Sequence, residues 1–302
     1  MMESFTVEEK REISKSIKNI TIDKVNKDWL TLKNIDTQKL NNKCNSGLSV
    51  VDYFTFEERL HTKGKYNVNF FEFTQNIEEF KKKRFIQTMF NFYHKVKNIK
   101  GKKNEYVVQK EIYNICITAI NAFKPTIAMH VFSIYSPKSV LDFCCGWGGR
   151  LVGACALNVK SFIGIEINKN LEKPYVEMQE YLETCSSTEI QILIEDALNT
   201  DYSKLIYDMV LTSPPYFFLE KYRNNSKYKN KTDMIDNFYI PLFRKTFHHL
   251  QANGVYCLNV NNDIYQNICL PLLGEAINKI PMIKSQRQNN YGEYIYVWKK
   301  NV

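Results

Sequence analysis

The second half of the chain alternates between short apolar runs and stretches whose apolar residues recur at helical spacing. Residues 139–143, 161–167, 190–194, 208–211 and 255–260 are apolar runs of strand length, and residues 151–157, 171–184, 234–250 and 264–280 carry the helical period. Residues 294–298 read as a final strand, pairing with 282–286 as a hairpin. This alternation predicts an α/β fold, a mostly parallel sheet with helices on both faces. Upstream, residues 105–135 are helical in pattern, with Pro125 at a favoured first-turn position and Pro137 breaking the chain before the first strand. Residues 1 to about 50 are polar and charged, and predict short helices and loops. Residues 53–96 are rich in aromatics interleaved with basic residues, notably Lys81-Lys82-Lys83-Arg84 and His94-Lys95. Such a stretch can stack bases and neutralise phosphates, and it equally describes a core face beside a solvated face. The basic segment 97–104 is the expected boundary. The chain then divides into a mainly helical, basic unit, 1–104, and an α/β unit, 105–302.

Charge sharpens that division. The formal net charge is +9. Residues 1–140 hold 24 Lys and Arg against 15 Asp and Glu, and the remainder is balanced at 17 against 17. A basic unit joined to a neutral α/β unit suits a polyanionic partner such as nucleic acid, although a lysine-rich solvated surface has the same signature. With 44% hydrophobic residues among 302, a packed core is within reach. The eight cysteines show neither a disulfide framework nor a zinc spacing, so a reduced, intracellular protein is expected. Cys144 and Cys145 read as small residues in a tight turn. No apolar run approaches the ~20 residues that span a bilayer, so no membrane partner is expected.

The chemistry is expected at the ends of the strands, where ligands of open α/β sheets bind. The first strand closes on Asp142 and runs into Cys144-Cys145-Gly146-Trp147-Gly148-Gly149 before a helix. Glycines permit a tight turn and close approach of a ligand to the backbone, and a helix start offers free N–H groups. The second strand ends on Glu166, placed to accept hydrogen bonds from ribose hydroxyls. The third ends on Glu195-Asp196, where Asp196 could accept from an adenine amino group. The fourth runs into Thr212-Ser213-Pro214-Pro215-Tyr216.

This set resembles the class I S-adenosylmethionine-dependent methyltransferases that act on exocyclic amines of nucleobases. Their glycine motif is Asp-Pro-Phe-x-Gly-x-Gly; here Asp142, Gly146 and Gly148 match, while Phe143-Cys144 replaces the Pro-Phe pair. Their catalytic motif, Asp/Asn/Ser-Pro-Pro-aromatic, is matched in full by Ser213-Pro214-Pro215-Tyr216, about 70 residues later. The resemblance runs from about Lys124 to the end of the chain. It implies a Rossmann-like sheet and S-adenosylmethionine as cofactor. The cofactor residues it implies are Asp142, Cys144, Cys145, Gly146, Trp147, Gly148, Glu166, Ile167, Asp196 and Ala197, with Thr126 near the methionine end.

An amino group on an aromatic base is a poor nucleophile, because its lone pair is delocalised into the ring. Ser213 Oγ and the Pro214 carbonyl are the expected acceptors that draw it toward tetrahedral geometry, held by Pro214 and Pro215. Tyr216 is expected to stack on the base, flipped out if the substrate is a duplex. The polar, basic segment that follows, with Phe217, Tyr222, Arg223 and Lys227, is the expected substrate contact, or a plain surface loop. The expected substrate is DNA, at cytosine N4 or adenine N6. Serine at the first motif position leans toward cytosine. RNA adenine N6, terminal positions included, is the alternative, and a catalytically silent nucleic-acid-binding subunit is the second.

Overall fold

The computed structural model describes residues 5–37, 44–98, 100–217, 228–282 and 293–301. Among the described residues eight α-helices precede the first strand: α1 (Val7–Ile17), α2 (Ile22–Lys33), α3 (Leu48–Arg59), α4 (Phe70–Gln75), α5 (Ile77–Lys81), α6 (Arg84–Phe92), α7 (Glu105–Cys116) and α8 (Pro125–Tyr135). Then follow β1 (Ser139–Asp142), α9 (Gly149–Ala156), β2 (Ser161–Glu166), α10 (Glu172–Glu183), β3 (Glu189–Ile194) and β4 (Met209–Thr212). The chain continues with α11 (Lys231–Met234), α12 (Ile240–His249), β5 (Val255–Asn261), α13 (Asn262–Ile264), α14 (Leu270–Leu273), β6 (Asn278–Pro281) and β7 (Glu293–Lys299). Single π-helical turns lead into α12 and α14.

The strands form one sheet in the order β3-β2-β1-β4-β5-β7-β6. The first five are parallel, and β7 runs antiparallel to both neighbours. This is a Rossmann-like, mostly parallel sheet with helices on both faces, as the alternation along the sequence predicted. Period-two alternation sends neighbouring side chains to opposite faces. Val140, Phe162, Met209 and Cys257 pack on one side with α8, α9 and α10. Leu141, Ile163, Val210 and Leu258 pack on the other with α12. The first face also receives Val25, Trp29 and Leu32 from α2 and Val50 and Val51 from α3, so early helices share the core of the sheet. A third core holds Phe56, Phe70, Phe71, Phe73, Phe90 and Tyr93 with α7. Most aromatics of residues 53–96 therefore build a core.

Two expected boundaries are corrected. The helix expected over 264–280 ends at Leu273, where Gly274 takes a left-handed φ of 79°. Residues 278–281 are β6, which pairs with β7, so the hairpin partner lies four residues earlier than 282–286. Residues 275–277 lie beyond a glycine in a conformation that ends helices, and β-pairing takes over.

Candidate active site

The order of the sheet reverses between β1 and β4, the switch point at which ligands of such sheets bind. The β1–β4 register pairs Val140 with Met209 and Leu141 with Val210. The glycine turn after β1 and Ser213-Pro214-Pro215-Tyr216 after β4 thus leave adjacent strands at one edge.

The glycine turn is built around a buried ion pair. Asp142 is fully buried, and Arg150 Nε donates to its Oδ2 at 2.6 Å. The same guanidinium donates to the Cys144 carbonyl at 2.6 Å. Burial alone would lower the Arg150 pKa, but the Asp142 carboxylate outweighs it and holds the guanidinium charged. Asp142 therefore shapes the turn through Arg150 and by accepting the Cys144 N–H at 3.4 Å. Gly146 and Gly148 have φ of 60° and 81°, a region that side chains rarely adopt. At Gly149 a Cβ would fall 1.9 Å from the Phe123 carbonyl oxygen, so α9 starts in van der Waals contact with the segment before α8. The Cys144 and Cys145 thiols are pushed well above their usual range by burial and then by the neighbouring Asp142 carboxylate, and stay protonated.

Glu166 ties the second strand to this turn. Its Oε2 accepts the Gly146 N–H at 2.8 Å, and its Oε1 accepts the Asn168 N–H at 2.8 Å. Burial pushes its pKa up to about 7, despite those two backbone donors. Tyr175 on α10 donates its hydroxyl to the Gly146 carbonyl at 2.9 Å. Asp196 accepts the Leu198 N–H at 3.0 Å in a local turn, with Ala197 buried beside it and Ile167 half-buried after Glu166. Carboxylates thus follow three adjacent strands, β1, β2 and β3. A Cβ on Gly146 would meet only the Cys144 carbonyl oxygen, at 3.8 Å, so the turn has open space beside Glu166. This donor and acceptor set fits an adenosine-bearing sulfonium ligand: carboxylate acceptors for hydroxyl and amino groups, and bare backbone at the turn.

Two helices that precede the first strand, α3 and α8, pack against α9 beside the turn. From α3, Thr55 Oγ1 lies 3.4 Å from the Trp147 carbonyl, the Arg59 guanidinium lies 5.7 Å from the Trp147 ring centre, and Glu58 accepts from Asn168 Nδ2 at 2.9 Å. On α8, Thr126 is buried and donates its hydroxyl to the Cys44 carbonyl at 3.1 Å. Trp147 itself is buried at 8% exposure.

The second half of the site is fixed by β5 and β7. Asn259 on β5 donates Nδ2 to the Tyr294 carbonyl at 3.3 Å, which turns its Oδ1 toward Ser213. Ser213 Oγ donates to that Oδ1 at 3.2 Å. A hydroxyl whose proton is committed presents its lone pairs to whatever else approaches. Tyr216 directs its hydroxyl at Glu293 Oε1, 2.8 Å away, and the Asn259 carbonyl, 3.1 Å away. Tyr239 donates to the Pro215 carbonyl and accepts the Phe217 N–H at 3.1 Å. Among the described residues nothing donates to the Pro214 carbonyl. Phe217, at φ 42°, sits in the core against Tyr239, with the Lys231 ammonium 4.4 Å from its ring centre. Tyr222, Arg223 and Lys227 lie outside the described residues.

Arg150, Asn168, Tyr175, Asn259, Glu293 and Glu58 went unnoticed in the sequence. Three carried a signal: Arg150 is a lone cation in an apolar helix, Asn259 interrupts a buried strand, and Glu293 opens an aromatic one. Among the described residues no helix is long and apolar enough to cross a membrane.

No protein-family model matches the chain, and no curated protein matches it in sequence. Several solved structures resemble it in fold. SMU.776, provisionally named a methyltransferase and solved in complex with SAH, is 15% identical, with a TM-score of 0.45 over 60% of this chain and 51% of that one. Ribosomal protein L11 methylase from Lactobacillus delbrueckii subsp. bulgaricus is 14% identical, with a TM-score of 0.40 over 59% and 77%. TrmN from Thermus thermophilus is 16% identical, with a TM-score of 0.39 over 58% and 48%. The chain spans about half the length of SMU.776 and of TrmN. A likeness of this degree carries neither a substrate nor a partner across, and the fold rests on the strand order.

Proposed function

We propose that this protein transfers a methyl group from S-adenosylmethionine to the exocyclic amine of a nucleobase in DNA, at cytosine N4 or adenine N6. The observation that carries the reading is the Ser213–Asn259 hydrogen bond beside the switch point. It commits the serine proton and leaves Ser213 Oγ as an acceptor next to the Pro214 carbonyl. Two acceptors aimed at the two N–H bonds of an amine localise its lone pair, and Pro214 and Pro215 keep them from relaxing.

The cofactor, when bound, supplies an electrophilic methyl group and a neutral leaving group. The chain's own residues do the rest. Glu166 and Asp196 accept from the adenosine portion, and the turn held by Asp142 and Arg150 presents its backbone to the methionine portion. Ser213 and Pro214 align the amine with the methyl, and the gain comes mainly from that positioning. Tyr216, fixed by Glu293 and Asn259, flanks the base. The methylated amine is strongly acidic, and its proton passes to water.

The test is transfer of isotopically labelled methyl groups to single-stranded DNA, duplex DNA and RNA, followed by mass spectrometry of the nucleosides. The expected products are N4-methylcytosine or N6-methyladenine. Methylation at ring carbon or ring nitrogen, or no binding of the cofactor at millimolar concentration in calorimetry, overturns the reading.

A further inference from the structure

The N-terminal cores bury most of the aromatics of that region and leave two phenylalanines outside. Phe85 is 60% exposed and Phe92 44%, and of the phenylalanines described only these two are exposed. Both lie on α6, whose core side is already committed through Ile86 and Phe90. Seven residues is about two helical turns, so the two rings stand on one stripe, roughly 10 Å apart along the axis. The adjacent stripe carries Arg84, Thr88 and Asn91, all exposed and polar. An aromatic row therefore runs beside a hydrogen-bonding, cationic row on the same helix.

The surroundings are strongly basic. Residues 80–104 contain nine Lys and Arg and no Asp or Glu. Lys81 and Lys82 are paired back to Glu78 and Glu79, whereas Arg84 and Lys95 have no ion-pair partner among the described residues. Tyr66, 50% exposed, lies under the Lys83 ammonium, 4.7 Å from its ring centre, and adds a further aromatic at the start of the helix.

We propose that this face of α6 binds an unpaired nucleic-acid strand, Phe85 and Phe92 stacking on bases and Arg84 and Lys95 meeting phosphates. The proposal rests on the nucleic-acid reading above and gives it a surface. Half-buried Met89 lies between the two rings and exposed Val96 beyond them, and exposed rings beside a polar, cationic row suit base faces, which stack on aromatics irrespective of sequence. A membrane-inserting helix needs a broad apolar face, whereas the exposed apolar residues of α6 form a narrow stripe flanked by Arg84, Thr88 and Asn91. A duplex offers no base faces, so the aromatic row would be idle against it.

The test is fluorescence anisotropy of the full chain with labelled oligonucleotides of one sequence, as single-stranded DNA, single-stranded RNA and duplex. The first two arms decide which sugar the strand carries. Phe85→Ala/Phe92→Ala should weaken single-strand binding by about tenfold or more. Arg84→Gln/Lys95→Gln should reduce the slope of log affinity against log salt by about 1.4, at about 0.7 per phosphate contact. Both variants change exposed side chains, and circular dichroism and cofactor affinity should match the parent. Duplex bound as tightly as single strand, with the phenylalanine variant unaffected, overturns the proposal. So does capture by phosphatidylserine vesicles that depends on the phenylalanines, with no oligonucleotide binding. Strand binding without cofactor binding overturns the catalytic reading and leaves this surface standing; cofactor binding without strand binding does the reverse.

Discussion

Glu58 accepts a hydrogen bond from Asn168 Nδ2 at 2.9 Å, across 110 residues of sequence. Asn168 donates its backbone N–H to Glu166, and Glu166 accepts the Gly146 N–H. A continuous chain of hydrogen bonds thus joins helix α3 to the glycine turn. Thr55, close to one turn earlier on the same helix, approaches the Trp147 carbonyl. Helix α3 in this way borders the proposed cofactor site.

Glu58→Ala should therefore weaken S-adenosylmethionine binding by about fivefold, the worth of one hydrogen bond near 1 kcal/mol. Glu58→Gln keeps an acceptor oxygen and should restore most of it. Turnover at saturating cofactor should change little. Calorimetry on the three proteins decides, and equal affinities would detach α3 from the cofactor site.

Glu166 gives a pH signature. Burial raises its pKa from 4.5 to about 7. Between those values the native state binds the proton more tightly than the unfolded state, so this group's stabilisation is complete below about 4.5 and is lost as pH rises through about 7. The loss is on the order of 3 kcal/mol for a shift of this size. Cofactor binding runs the opposite way, since ribose hydroxyls need the carboxylate as acceptor. Affinity should rise from pH 6 to pH 8, and Glu166→Gln should flatten both profiles. A cofactor affinity in the parent protein that is independent of pH over that range would remove Glu166 from the ligand.

The Asp142–Arg150 pair predicts a stability loss. Arg150→Met keeps most of the side-chain volume but leaves the fully buried Asp142 carboxylate with the long Cys144 N–H bond, 3.4 Å, in place of its ion pair, and takes the guanidinium donor from the Cys144 carbonyl. Removing one partner of a buried pair costs about 3–5 kcal/mol. The urea midpoint should fall accordingly. A loss below about 1 kcal/mol would mean that the turn does not depend on the pair.

How far this site was legible depended on the range of the interactions. Strand ends and their chemistry follow from local pattern, and Asp142, Glu166, Asp196 and Ser213 follow adjacent parallel strands β1 to β4. The orienting groups are not local. Asn259 acts 46 residues from Ser213, Glu293 lies 77 residues from Tyr216, and Glu58 acts across 110. Their positions depend on sheet order and on how α3 packs, which no short window encodes. The boundary error at β6 has the same origin. Residues 278–281 pair with a strand that follows them by a dozen residues and more, and that pairing overrode a helical period. The aromatic stretch 53–96 was ambiguous because burial, not composition, separates Phe70 and Phe90 from Phe85 and Phe92.

The relation between Ser213 and Asn259 yields the sharpest test of the chemistry. If Ser213 works as an acceptor because Asn259 takes its proton, Asn259→Ala frees that proton to point at the incoming amine. The amine then meets a donor where it needs an acceptor. Turnover should fall by about tenfold, while cofactor affinity, set at the other strands, stays the same. Ser213→Ala removes the acceptor itself and should cost about 10²–10³ in turnover, the range for a lost positioned polar group. The double variant should be no worse than Ser213→Ala alone, because Asn259 has then nothing to orient, and such non-additivity is the mark of residues acting as a unit. Strictly multiplicative losses would show that Asn259 acts on the strand, through its Nδ2 bond to the Tyr294 carbonyl, and not on the serine.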